Sequence, residues 1–172
     1  GATWIEPRYI QQFMQETFET PFYLRRNIEV KFSDLTAEWR INGKSSPSYN
    51  DVAAYTTYGT DRANAYRLLE DALNLRDVRI YDTVEDADGR ERRVLNAKET
   101  TLAQQKQQAI KDAFRDWIWK DPNRRQVLVK EYNELSEGVI NMYDIDLLLE
   151  ERSGYYTEGR GISDGAQIKD IS

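Results

Sequence analysis

Ile28-Glu29-Val30-Lys31-Phe32-Ser33-Asp34-Leu35-Thr36-Ala37-Glu38-Trp39-Arg40-Ile41-Asn42-Gly43 decides the architecture. Ile28, Val30 and Phe32 alternate with charged residues, Ser33-Asp34 offers a turn, and Ala37, Trp39 and Ile41 alternate again before Asn42-Gly43. Side chains on a strand point to opposite faces with a period of two, so this pattern predicts a β-hairpin with one buried face. A two-stranded ribbon is marginal alone and needs other elements against that face.

The flanking sequence supplies helices. Upstream, Pro7 suits a first helical turn, and Tyr9, Ile10, Phe13, Met14 and Phe18 repeat at helical spacing before Pro21 stops the run. Downstream, a polar loop from Lys44 to Ser48 carries Pro47, and Asn50 or Ser48 is expected to cap a short helix through Tyr58. Gly59 ends it. Thr60 is expected to cap a second helix with Ala65, Tyr66, Leu69, Ala72 and Leu73 on its apolar face.

Val78, Ile80 and the residues through Val84 predict a second hairpin, turning at Asp86-Ala87-Asp88-Gly89 and returning along Arg92 to Leu95. Thr100 or Thr101 then precedes the longest helix, striped by Ile110, Ala113, Phe114, Trp117 and Ile118 and broken at Asp121-Pro122. A further helix follows, with Leu128, Tyr132 and Leu135 on one face. The fold class expected is α+β: four to five helices packed with two β-hairpins in a small antiparallel sheet. Residues 1–136 are expected to form this domain, and 137–172 an appendage. In that appendage Ile140 to Arg152 reads as one amphipathic element, while Gly154 to Ser172 is polar and dotted with glycine.

With 172 residues the chain is long enough for one domain with a real core. Its 40% apolar, 31% charged balance is that of globular proteins, and 4 Trp, 11 Tyr and 5 Phe make the core rich in rings. There is no signal sequence and no long apolar run, so the cytoplasm is the expected compartment and no membrane partner is expected. Cys and His are both absent. Zinc sites, Ser-His-Asp triads, Cys-His pairs and imidazole bases therefore cannot be built, and neither a metal nor a cofactor is expected. A formal net charge of −6 repels nucleic acid, so any such binding must use a local basic patch.

Several motifs reduce to turns. Gly43-Lys44-Ser45 resembles the end of a phosphate-cradling loop, but the glycine required five positions earlier is Glu38. Asp86-Ala87-Asp88-Gly89 resembles the middle of a calcium loop, yet the first and last ligand positions fall on Val84 and Leu95. Asp144, Asp146, Glu150 and Glu151 are expected to be a solvated face. The segments Asp51 to Tyr58 and Asp61 to Leu75 have the length and turn of a helix-turn-helix whose second helix presents Arg62, Asn64 and Arg67. Against that, Glu70, Asp71 and Asp77 interrupt its basic face, and two such helices also pack simply as a corner of a core. Arg90, Arg92 and Arg93, then Arg124-Arg125, and Arg25-Arg26 are further local basic clusters.

Several strings occur together in order: Gly1-Ala2-Thr3-Trp4-Ile5, Tyr58-Gly59-Thr60-Asp61-Arg62-Ala63-Asn64-Ala65, Glu70-Asp71-Ala72-Leu73-Asn74-Leu75, Ile80-Tyr81-Asp82, Arg93-Val94-Leu95-Asn96, Trp117-Ile118-Trp119-Lys120-Asp121-Pro122 and Tyr132-Asn133. Over about residues 1 to 135 they resemble a segment of the very large phage, plasmid and conjugative-element proteins that join an adenine-specific DNA methylase to a helicase, some described as anti-restriction proteins. The match stops at Leu135, a departure expected of a truncated or rearranged copy or an excised piece. The resembling segment lies between methylase and helicase parts, and both activities belong to those parts.

The function this implies is a non-catalytic accessory domain that positions DNA or couples the methylase and helicase domains. The candidate nucleic-acid-binding residues are Arg62, Asn64, Arg67, Arg92, Arg93, Arg124 and Arg125. The alternative is a protein-interaction or structural spacer domain without nucleic-acid contact, whose sign is an exposed aromatic patch. An enzyme in its own right would need a pocket lined by carboxylates of perturbed pKa. Convergence of the arginines on one face discriminates the first two.

Overall fold

The computed structural model describes residues 3–136. The expected element read at residues 140–152, the acidic group around Asp144 and the side chain of Leu135 lie outside the described residues. The fold is α+β, with two separate antiparallel hairpins and no closed sheet among the described residues. In order it runs α1 (Pro7–Thr17), a 3-10 turn (Phe22–Leu24), β1 (Glu29–Ser33), β2 (Glu38–Asn42) and a π-turn (Ala53–Thr57). It continues with α2 (Ala65–Leu73), β3 (Tyr81–Glu85), β4 (Glu91–Leu95), α3 (Ala97–Lys120) and α4 (Pro122–Ser136). The two β-hairpins expected are both present, as two ribbons that do not pair with each other.

The first ribbon is the expected hairpin, and its register sets Val30 opposite Ile41 and Phe32 opposite Trp39. The Phe32 and Trp39 rings lie 4.9 Å apart, and Gly43 leaves the ribbon with φ +72. Both of its edges are covered by polar side chains from helices. From α1, the Gln11 Oε1 accepts the Val30 N–H at 2.7 Å and its Nε2 donates to Ile28 O at 3.0 Å. On the other edge, Asn74 Oδ1 accepts the Trp39 N–H at 2.8 Å and its Nδ2 donates to Trp39 O at 2.9 Å. One turn earlier in the chain, Glu70 Oε2 accepts the Ile41 N–H at 2.7 Å. An open strand edge carries unpaired backbone groups that invite other chains, and three side chains here take the place of two further strands.

The core lies between α1, α2, α3 and the inner face of this ribbon. Phe13 meets Phe18, Phe114 and Trp117 edge-on, and Tyr66, buried, shares a 2.7 Å hydrogen bond with Thr20. Burial pushes the Tyr66 phenol up to about 12, so it stays neutral there. The α3 stripe of Ile110, Phe114, Trp117 and Ile118 is buried as expected. Its cap is Asn96, whose side chain accepts the Glu99 N–H at 3.0 Å, and not Thr100 or Thr101. Thr100 instead lies inside the helix, where its hydroxyl accepts the Ile80 N–H at 2.9 Å and ties the second ribbon to α3.

That second ribbon begins at Tyr81, and Val78 and Ile80 are buried just before it. Gly89 makes the turn with φ +78. All of β4 is exposed, and Glu85 faces Glu91 across the ladder, a like-charge pair that weakens the tip.

Where α1 meets α3, the Trp117 indole N–H donates to Glu16 Oε1 at 2.8 Å. This bond holds the Glu16 carboxyl below its ordinary value near 4.5. A depressed carboxylate stabilises the fold above its unfolded value and loses that contribution as pH falls through the folded one. Glu16→Gln keeps an acceptor but cannot titrate, so its loss of stability as pH falls below the ordinary carboxylate value should be shallower than the parent's in urea melts. Superimposable pH profiles would rule out this linkage.

Candidate functional site

Loop 44–49 and turn 60–64 face each other across an open cleft of about 270 Å3. Gly59 lets the π-turn pass close to the start of α2, and Thr60 Oγ1 then accepts the N–H groups of Arg62 at 3.1 Å and Ala63 at 2.9 Å. This delays the helix by four residues from the expected start. Asn64 is the cap: its Oδ1 accepts the Arg67 N–H at 3.0 Å. Its Nδ2 donates across the cleft to Lys44 O at 2.7 Å and to the Tyr55 hydroxyl at 3.3 Å. Lys44 is placed a second time by Glu70, whose buried carboxylate lies 3.2 Å from its ammonium.

Two arginines complete the wall. Arg62 bonds Asp82 Oδ1 through Nη1 and Tyr81 O through Nη2, both at 2.8 Å. Arg67 Nη1 donates to Arg62 O at 3.1 Å, and its Nε lies 3.9 Å from Asp71. Burial raises the Asp71 carboxyl, against the pull of Arg76 and Arg67. The arginine side chains remain 40% and 42% exposed, so these ion pairs are of the weak, solvent-screened kind. At the rim, Tyr49 is 79% exposed, with its ring 5.1 Å from that of Tyr55. Asp61 also lines the cleft, and each of its three cationic side chains has a carboxylate partner: Glu70 for Lys44, Asp82 for Arg62 and Asp71 for Arg67. Lys44 and its flanking loop thus share a cleft with three of the candidate residues, Arg62, Asn64 and Arg67.

A family described as "Domain of unknown function (DUF8437)" matches residues 1–138. The chain belongs to DUF8437. No curated protein matches it, and no solved structure does. The DUF8437 region therefore contains every described element and the whole cleft.

Within this DUF8437 fold the six candidate arginines do not share one face. Arg62 and Arg67 line the cleft, whereas Arg92 and Arg93 are consecutive residues of β4 and point to opposite faces of the second ribbon, with the Arg93 guanidinium stacked 4.1 Å from the Tyr81 ring centre. Asn96, at the start of α3, donates to the same Asp82 that Arg62 holds, at 2.9 Å. Arg124 and Arg125 lie past the other end of α3, a helix of 24 residues and about 36 Å. They close that helix: Arg124 stacks 3.5 Å from the Trp117 ring centre and donates to Trp117 O, while Arg125 donates to Trp119 O at 3.1 Å. Cationic side chains satisfy the last carbonyls of a helix in this way.

The helix-turn-helix layout is not what forms. Its first helix is a five-residue π-turn, and its second starts at Ala65 and has nine residues. Asn64 is only 8% exposed with its amide engaged, and Glu70 faces β2 instead of interrupting an outer basic face. Lys44, Tyr49 and Tyr55 were not among the expected site residues. The one local signal for Lys44 was the partial phosphate-loop match at Gly43-Lys44-Ser45.

Behind loop 48–52 lies a second groove of about 420 Å3, bordered by Tyr23, Asp51, Val52 and Tyr58. Phe22 and Tyr23 stand out beside it at 86% and 74% exposure. Among the described residues no group of three or more Asp or Glu could hold a metal ion, and no helix is long and apolar enough to cross a membrane.

Proposed function

We propose that this chain is a non-catalytic accessory domain of a mobile-element DNA methylase and helicase system, acting in the cytoplasm, which positions DNA or couples its neighbouring domains. The observation that carries the reading is the convergence of Lys44, Arg62 and Arg67 on one open cleft in an otherwise acidic chain. A local cationic concavity attracts phosphate even where the net field repels it. The Arg124 and Arg125 pair is engaged in closing α3 and contributes less to this reading.

The reading predicts binding of single-stranded or duplex DNA that weakens steeply with salt. Three phosphate contacts give a log-log slope of about −2 to −3. Arg67→Gln should reduce the slope by about 1 and weaken binding to all sequences alike. Titration by fluorescence anisotropy at about 50 mM salt measures both. No binding at protein concentrations on the order of tens of micromolar would overturn direct DNA contact.

A second reading, a spacer or protein-docking domain without nucleic-acid contact, is favoured by the exposed Phe22, Tyr23 and Val52 beside the second groove. Contiguous exposed apolar surface marks interaction sites, whereas single exposed side chains are ordinary. That reading stands if the DNA titration is blank.

A further inference from the structure

We infer that the cleft takes an unpaired nucleotide, its base stacked on Tyr49 and its phosphate held by Arg62 and Arg67. The inference rests on the DNA-contact reading and goes beyond it in naming the form of nucleic acid and the ring that selects it. Tyr49 is 79% exposed on a polar loop, and the ring it meets is that of Tyr55, 5.1 Å away and tilted by 42°. An aromatic ring left largely to water is a platform for another planar group. Tyr55 is fixed from behind, because its hydroxyl accepts from Asn64, which is itself pinned by the Arg67 N–H and by Lys44 O. The platform is therefore backed by the same residues that place the cations.

Arg62 and Arg67 line the same cleft as Tyr49. A duplex cannot use this arrangement, since both faces of each of its interior bases are already covered by neighbours. Base stacking tolerates any sequence, so the selectivity is for unpaired strand and not for a motif.

The test uses the full chain and fluorescein-labelled oligothymidylate of about ten nucleotides, with a duplex of the same length in parallel. The single strand should bind more tightly than the duplex. Tyr49→Leu should weaken single-strand binding by about five- to a hundredfold and leave the duplex unchanged, and Tyr49→Trp should tighten it. Tyr23→Ala, at an equally exposed tyrosine on the other groove, should have no effect. Equal binding of both forms, indifferent to Tyr49→Leu, would overturn the stacking site while the phosphate contacts of the DNA reading survive. Absence of binding to either form would remove both. Because Tyr49 is an exposed loop residue, these variants report on contact and not on folding, which circular dichroism melts verify.

Discussion

Phe13→Ala is expected to destabilise the fold by about 3–5 kcal/mol, the usual cost of deleting a fully buried ring. The side chain has no exposed surface and sits where three rings converge: Phe114 at 5.0 Å, Trp117 at 5.7 Å and Phe18 at 5.9 Å, all edge-on. Each such pair adds about 0.5–1.5 kcal/mol beyond the area it hides. The contacts join α1 to α3, so the cavity would open along the seam that also carries the Trp117 to Glu16 bond. In a chain of this size the loss corresponds to roughly 6–20 °C in Tm. Phe13→Leu, which retains most of the volume, should lose less than half as much. Urea denaturation of the two variants makes the comparison, and a loss below about 1 kcal/mol for alanine would show that the ring cluster does not bear on stability.

The parts of the fold that a sequence reveals are those whose cause is local. The alternation at Val30, Phe32, Trp39 and Ile41 does place four apolar side chains on one face of a ribbon, and the stripe from Ile110 to Ile118 does face the core. Asn42-Gly43 and Asp88-Gly89 mark turns because positive φ is cheap for glycine, and both glycines adopt it. Helix starts were less legible. Thr60 and Asn64 are both good caps, and Thr60 does accept two N–H groups, but in a turn that precedes the helix. Asn96 and Thr100 present the same ambiguity, decided in the structure by the bond from the Ile80 N–H to Thr100. The choice between neighbouring caps thus depends on a partner far away in the chain.

The same limit applies more severely to the cleft. Arg62, Asn64 and Arg67 stood out because they cluster in six residues, but Lys44 meets them through a bond that spans 20 residues, from Asn64 to Lys44 O, Tyr55 through a second Asn64 bond, and Tyr49 only through its ring contact with Tyr55. Glu70 shows how composition misleads. Its charge reads as a flaw in a basic helix, whereas its carboxylate closes the edge of β2 and orients Lys44. Burying a carboxylate is tolerable there because a backbone N–H and an ammonium meet it.

Gly59→Ala is expected to damage the fold and the cleft together. A Cβ at this position would lie 2.0 Å from Ala54 O, 2.7 Å from Ala65 N and 2.9 Å from Asn64 C, all backbone atoms. Nothing at those distances is a flexible side-chain end, so the methyl must displace either the π-turn or the first residue of α2. The neighbours are small for the same reason: Ala54, Ala63 and Ala65 are buried, and larger side chains would keep the two segments apart. Overpacking commonly costs 1–3 kcal/mol, and a clash with fixed backbone should reach about 3 kcal/mol or more. Whichever segment yields, the cleft yields with it, because the π-turn carries Tyr55 and the α2 cap is Asn64. Their mutual bond, and the position of Lys44 behind it, depend on the close approach that Gly59 allows. The variant should therefore melt well below the parent and, measured at a temperature where it remains folded, bind oligothymidylate more weakly than Tyr49→Leu does. A Tm within about 2 °C of the parent would mean that the two segments can separate at little cost, and the cleft would then lack the rigid frame on which a stacked base depends.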